Sequence, residues 1–323
     1  MIRVFGRSDG RIRPVDGLPA DAGGIVWVDL RDPTREEELA AEELLGVQVP
    51  TRQELAEIEE SSRLYAEAGT LVMTAVVISG MAEGRPERAT VTFILTPSHL
   101  VTVRYLDPTP FRTADVRLLR QPEAVATAMD VFVSLLESIV ERVADVLEQV
   151  SAELNDVGTA LFWDDEAKAG KPRTDLQQLI RKLGRKNQAL IIIRESLHSL
   201  SRLIPFLRQG GEAWISDACT ARLKATDRDL RSLSTFESQL EQQIAFLHEA
   251  TVGLIGIEQN AIIKVFSVAA VLFLPPTLVG TVYGMNFEVM PELHFRFGYP
   301  LALLSMIVSA LIPYWWFKRR GWL

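Results

Sequence analysis

The chain has 323 residues, 34 Lys and Arg against 42 Asp and Glu, and a net charge of −8. An acidic chain of ordinary apolar content is not disordered, not collagen-like, and poorly suited to coat nucleic acid. The single cysteine, Cys219, cannot close an intrachain disulfide, and the four histidines have no metal-ligand spacing.

The N-terminal third reads as mixed α/β. Segments 24–30, 70–79, 90–96 and 99–105 are rich in β-branched residues and bounded by Gly, Pro, Asp and Ser, which predicts strands. Thr34 followed by Glu37 predicts a capped helix over 34–45, and Thr51 with Glu54 predicts another over 51–60. The glycines at 80 and 84 are not spaced as a phosphate loop, and no Ser-His-Asp or Cys-His arrangement has local support. From Pro122 the pattern is helical almost without pause. Helices are expected over 123–157 and 174–207, separated by 162–172 with Asp164, Asp165 and Gly170. A third begins near Glu212, and no proline occurs between Pro205 and Pro275 to stop it. Drawn from Trp214 to Tyr283, it would be about 105 Å long, a stalk rather than a core element.

Polarity changes at the other end. No charged residue occurs from Val265 to Asn286, and none from Phe297 to Phe317. Each run meets the roughly 20 apolar residues that a membrane-spanning helix needs. The short connection between them makes a hairpin. Lys264 precedes the first run, and Lys318, Arg319 and Arg320 follow the second, whereas the hairpin has Arg296 against Glu288 and Glu292. The positive-inside rule places both termini and the polar part in the cytoplasm, with Trp315, Trp316 and Trp322 at the inner boundary. The expected molecule is an α+β membrane protein. It has a cytoplasmic α/β domain (1–121), a helical funnel and stalk (122–259), a first transmembrane helix (260–286), an extracytoplasmic loop (287–296), a second transmembrane helix (297–317) and a basic tail (318–323). Two spans per chain cannot enclose an aqueous path, so a pore requires several copies around an axis.

At heptad spacing the first span reads Asn260, Ile263, Ser267, Ala270, Leu274, Thr277 and Thr281. This stripe is smaller and more polar than the rest of the helix. It fits a helix-packing seam or a pore face equally well. Pro275-Pro276 would free backbone carbonyls and bend the helix there.

The span ends YGMNFEVMPEL, residues 283–293. The triplet Gly284-Met285-Asn286 after a membrane helix, the following Met290-Pro291-Glu292-Leu293, the ending YWWFKRRGWL, and upstream IVWVDLRDPTREE and RQELAEIEESSRLYAE resemble the CorA family of magnesium transport proteins. The resemblance covers nearly the whole chain. It implies a homopentamer with a funnel-shaped cytoplasmic part, the first span lining the pore and the second outside it. Carried over by spacing from the triplet, the pore-facing positions are Asn260, Ile263, Phe266, Leu274, Thr277, Gly284 and Asn286. Phe266 is off the heptad, and Ser267 is the alternative to it. The implied cargo is hydrated Mg²⁺, with Co²⁺ or Ni²⁺ as further cargo. No nucleotide is required and no nucleic-acid partner is expected.

Mg²⁺ sheds its water reluctantly and prefers hard oxygens. A ring of Asn286 amide oxygens would accept hydrogen bonds from that water, and the Gly284 carbonyl would add a second ring. Glu288 and Glu292 either attract cations or only keep the loop soluble. Ile263 and Leu274 would make apolar constrictions. Asp227 and Asp229 fall near the family's intersubunit regulatory site, although the spacing itself lands on Ala225. The row Glu137, Glu141, Asp145 and Glu148 reads as a solvated face. The other readings are a zinc transporter of the same superfamily, and a membrane-anchored scaffold or sensor that transports nothing.

Overall fold

The computed structural model describes residues 1–323 except 9–10, 16, 20, 57–58, 68, 82–83, 121–126, 164–174, 287, 289 and 322–323. Asp164, Asp165 and Gly170 of the expected interhelical segment, and Trp322 at the expected inner boundary, lie outside the described residues. Residues 1–248 form one compact unit and residues 249–323 a second.

The first unit is built on a seven-stranded sheet. Its strands are β1 (Ile2–Ser8), β2 (Arg11–Val15), β3 (Ile25–Arg31), β4 (Leu64–Glu67), β5 (Thr70–Ser79), β6 (Glu87–Leu95) and β7 (Leu100–Arg104), in the order β2-β1-β3-β7-β6-β5-β4. Among the described residues only the β3–β7 pairing is parallel; Trp27 lies opposite Leu100 there. Four strands coincide with the expected ones to within about three residues, as boundary fraying allows. The expectation omitted β1, β2 and β4. These are edge or near-edge strands in which arginine and glutamate alternate with apolar residues, so they lack the continuous β-branched runs of β3 and β5.

Side-chain alternation assigns residues to the two faces. Phe5, Trp27, Met73, Ala75, Val91, Phe93, Leu95 and Leu100 point to one core. Val4, Val28, Leu30, Val72, Ile94, Val101 and Val103 point to the other. The smaller core is closed by α1 (Arg35–Leu45), through Ala41, and by Val47, Val49 and Leu55. The Thr34–Glu37 capping box is formed as expected, and Gly46 ends α1 at φ 65°. The second expected helix is corrected. The Thr51 amide does donate to Glu54 at 2.7 Å, and the Glu54 amide returns to Thr51 Oγ1 at 3.4 Å. Yet only a 3₁₀ turn, Glu54–Ala56, and a short α2, Glu60–Arg63, follow. The segment is rich in glutamate, at 54, 57, 59 and 60, and Leu55 is buried in the smaller core. A side-chain cap by itself does not offset the cost of helix nucleation.

The larger core is closed by α3 (Thr109–Arg120), α4 (Ala128–Phe162), α5 (Leu176–Gly210) and the first part of α6 (Asp217–Tyr283). The expectation missed α3, although Thr109-Pro110 is a helix-start signal. It also began the third long helix too early: Glu212–Trp214 is a separate 3₁₀ turn. Helix α4 buries Phe132, Leu136, Ile139, Val143, Leu147, Val150 and Leu154, a helical spacing that turns one stripe inward. Phe132 meets Phe93 edge-on at 5.2 Å. The three long helices are cross-linked by polar contacts. Arg222 forks onto Glu137 at 2.7 and 2.9 Å, Arg194 reaches the buried Glu237 at 2.9 Å and also pairs with Glu241, and Lys186 binds Glu153 at 2.7 Å.

One charged group lies deep in the sheet. Arg104 and Asp29 are about as buried as any residue in the fold. Arg104 meets both Asp29 oxygens at 3.0 and 2.8 Å, bonds Asp107 at 2.6 Å, and lies 4.7 Å over the Phe111 ring. Thr102 bridges Asp29 and the Trp27 indole. Every charge here has a partner, as burial requires.

Candidate functional site

The second unit contains the C-terminal part of α6 and α7 (Gly298–Arg319), joined through a 3₁₀ turn at Pro291–His294. Both helices are long and apolar enough to cross a membrane. At the end of α7, Arg319 sits 4.3 Å from the Trp315 ring and Arg320 sits 5.0 Å from Trp316. That pairs the basic tail with the aromatic rings that settle at an interface.

From Val268 onward α6 has two unlike faces. Val268, Leu272, Pro276, Val279, Gly280 and Tyr283 are partly covered. Ala270, Leu274, Thr277 and Thr281 are exposed, flanked by the exposed apolar Phe273, Leu278 and Val282. At about 100° per residue the covered set centres on the side opposite the small, polar stripe. Gly280 explains the approach of α7. A Cβ there would lie 3.1 Å from the Met306 methyl, so the Met306 side chain would have to give by a few tenths of an ångström. Gly280 was not among the expected site residues; its signal is a lone small residue on the apolar face of the span.

Nearer the start of this segment, Asn260, Ile263, Phe266 and Ser267 are all exposed, Ile263 by 60% and Phe266 by 72%. Phe266 lies about 20° outside the arc that holds the stripe, so it borders that face. Asn260, Ile263 and Ser267 also line an open groove of about 470 Å³ with Lys264, Val268, Phe317 and Gly321. Leu274 is 66% exposed. The Thr277 hydroxyl donates to the Phe273 carbonyl at 2.7 Å, and Thr281 donates to Thr277 at 2.8 Å. Helix α6 continues through Pro275 and Pro276.

The triplet begins where α6 stops. The Gly284 amide bonds the Gly280 and Thr281 carbonyls, and the Met285 amide bonds Val282, which closes the last turn. The glycine is needed here for closeness, not for a left-handed backbone. Its φ is outside the positive region, but a Cβ would sit 3.3 Å from the Gly280 oxygen. Met285, Asn286 and Glu288 are exposed. Glu292 lies in the 3₁₀ turn.

The two expected regulatory carboxylates are on different flanks of α6. Asp227 pairs with Arg231 at 2.8 Å and lines a groove with Arg208, Lys224 and Arg228. Asp229 lines a separate cavity of about 410 Å³ with Glu137 and Glu141. Within one chain the two do not share a ligand position. Among the described residues no cluster of three or more His, Cys, Asp or Glu could hold a metal. In the acidic row, Glu141, Asp145 and Glu148 are exposed, whereas Glu137 is engaged by Arg222.

Comparison with known proteins agrees with this geometry. The magnesium transport protein CorA of Pasteurella multocida is 35% identical over the whole of both chains. CorA of Escherichia coli K12 is 34% identical over 92% of each chain. Among solved structures, the CorA magnesium transporter of Methanocaldococcus jannaschii superposes with a TM-score of 0.76 over all of this chain and 99% of its own, at 17% identity. The cytoplasmic domain of ZntB from Vibrio parahaemolyticus shares the fold of the polar part, with a TM-score of 0.57 over 79% of this chain and 97% of its own, at 10% identity. A model of the CorA-like Mg²⁺ transporter protein matches residues 22–319, and the chain belongs to that family.

Proposed function

We propose that the protein is a homo-oligomeric, pentameric channel for influx of hydrated Mg²⁺ across the cytoplasmic membrane, with both termini in the cytoplasm. The observation that carries this is the orientation of the stripe. Ala270, Leu274, Thr277 and Thr281 are exposed on the side of α6 away from the α7 contact, and the helix ends in the exposed Asn286. A seam built only to hold α7 would put its small, polar residues against α7. Several copies arranged around an axis would turn the stripe inward and leave α7 outside.

In such a ring the Asn286 amide oxygens accept hydrogen bonds from the ion's water, joined by the Gly284 carbonyls, with Met285 between them. Neutral acceptors hold the hydrated ion without trapping it. Glu288 and Glu292 raise the cation concentration at the mouth. Asn260, Ile263, Ser267, Leu274, Thr277 and Thr281 line the path, and Phe266 borders it. Ile263 and Leu274 are the apolar rings that close by excluding water. The membrane potential supplies about 2.3 kcal/mol per charge per 100 mV, so no nucleotide is needed to drive influx. Internal Mg²⁺ holds the closed state by bridging carboxylates of neighbouring copies, with Asp229 a better placed ligand than the Arg231-bound Asp227.

Metal uptake into liposomes containing the purified protein tests this. Saturable Mg²⁺ influx driven by an inside-negative potential is expected, with Co²⁺ and Ni²⁺ as slower or competing cargo. Zn²⁺ influx that requires a pH gradient would identify a zinc transporter instead. No metal flux from correctly assembled protein would leave an anchored scaffold.

A further inference from the structure

A basic groove of about 720 Å³ lies in the first unit, and none of the candidate site residues named above lines it. One wall is the N-terminal part of α5, which contributes Arg181, Lys182, Arg185 and Lys186. The β5–β6 turn contributes Met81, Gly84 and Pro86, and α4 contributes Gln149 and Glu153. The spacing 181, 185 and 182, 186 puts all four cations on one side of the helix.

The charge is not balanced inside the groove. Among the described lining residues Glu153 is the single acid, and it is occupied, accepting from Lys186 at 2.7 Å and from Gln149 at 3.2 Å. Among the described residues, Arg181, Lys182 and Arg185 have no ion-pair partner. Elsewhere in this unit Arg88 is paired with Glu195, Arg194 with Glu237 and Arg222 with Glu137. Two guanidinium groups without an ion-pair partner and Lys182, which acts on Glu153 only at longer range, converge on one concave site with the amides of Gln149 and Gln178 beside them, and favour a compact anion carrying several charges. The volume falls in the range of small-ligand pockets. The lining has no aromatic side chain on which a base could stack.

We propose that this groove binds oligophosphate anions through the phosphate chain, and prefers them without bound Mg²⁺. The preference follows from competition for the same oxygens. Mg²⁺ takes phosphate oxygens as hard ligands and cancels much of their charge, and among the described residues lining the groove the one carboxylate, Glu153, is already held by Lys186. Occupancy then rises as cytoplasmic Mg²⁺ falls. Binding in the groove does not require the transport reading to be correct.

The test is calorimetry on the full-length protein in detergent with sodium triphosphate and, separately, ATP, in chelator and at low salt. Saturable binding of both is expected, with similar affinity because only phosphates are recognised; much tighter binding of ATP would make a nucleotide the occupant and overturn recognition through the phosphate chain alone. Arg181→Gln with Arg185→Gln should weaken binding by at least about tenfold, as loss of two charge-assisted contacts implies. Lys224→Gln with Arg228→Gln, on another basic surface, should not. Added Mg²⁺ should weaken binding in step with its capture of the phosphates. Absence of saturable binding, equal losses in the two double variants, or binding strengthened by Mg²⁺ would overturn the proposal. Liposome uptake by Arg181→Gln/Arg185→Gln should retain its maximal rate, which keeps this test separate from that of the pore.

Discussion

Asn286 combines an exposed side chain with a position just beyond a helix end, where backbone carbonyls and an amide oxygen can face the same volume. In the proposed ring, Asn286→Ala removes an acceptor from every copy and little packing. Mg²⁺ uptake should be abolished while the oligomer, measured by size exclusion with light scattering, stays intact; normal uptake would remove Asn286 from the selectivity role. Gly284 shows what the sequence does and does not reveal about a candidate site. The triplet was legible because its residues follow an uncharged span. What constrains the glycine itself is contact with the Gly280 carbonyl, which depends on how the last turn closes and is not visible in the sequence.

At the scale of elements, Leu274 is a large apolar side chain on a stretch of stripe otherwise made of alanine and threonine. Leu274→Asn would hydrate the constriction, so uptake should persist at internal Mg²⁺ concentrations that shut the wild type. Flux that closes at the wild-type concentration would exclude Leu274 as a gate. The α4–α5 contact has a different dependence. Burial alone would raise the Glu153 carboxyl, but Lys186, with Gln149 and Lys182, outweighs it and holds the group below its ordinary value. A carboxyl lowered on folding stabilises the fold above its unfolded value, near 4.3, and loses that contribution as pH falls through the lower folded value. Between about pH 5 and pH 3 the melting temperature should therefore drop less steeply in Glu153→Gln than in wild type. The difference is modest, since the pair is partly exposed.

For the whole molecule, long-range burial decided what the sequence could show. Strands β3, β5, β6 and β7 were legible because they are buried on both faces and read as apolar runs. Edge strands β2 and β4 were not, because water supplies part of their hydrogen bonding and permits charge. The Thr51–Glu54 cap misled because a cap is a local signal, whereas the helix behind it needs a core to face. Asp227 and Asp229 seemed a pair in sequence, but two residues of a helix are about 200° apart. Their separation makes a single-residue test possible. Limited proteolysis of the assembled protein should show Mg²⁺-dependent protection that Asp229→Asn reduces and Asp227→Asn largely keeps. Protection unchanged in Asp229→Asn would move the ligand elsewhere.

The hydroxyl protons of Thr277 and Thr281 are committed to carbonyls one turn back. What these side chains offer outward is therefore lone pairs and methyl groups, a wall that can accept but not donate. Water around a cation presents its hydrogens outward; water around an anion turns hydrogens toward the ion. Such a wall discriminates by the polarity of a hydration shell without carrying formal charge, so it does so at any ionic strength. Thr277→Val with Thr281→Val keeps the shape and deletes the acceptors. Mg²⁺ conductance should fall several-fold, with the fall as large in high salt as in low; a loss that salt abolishes would point to charge elsewhere.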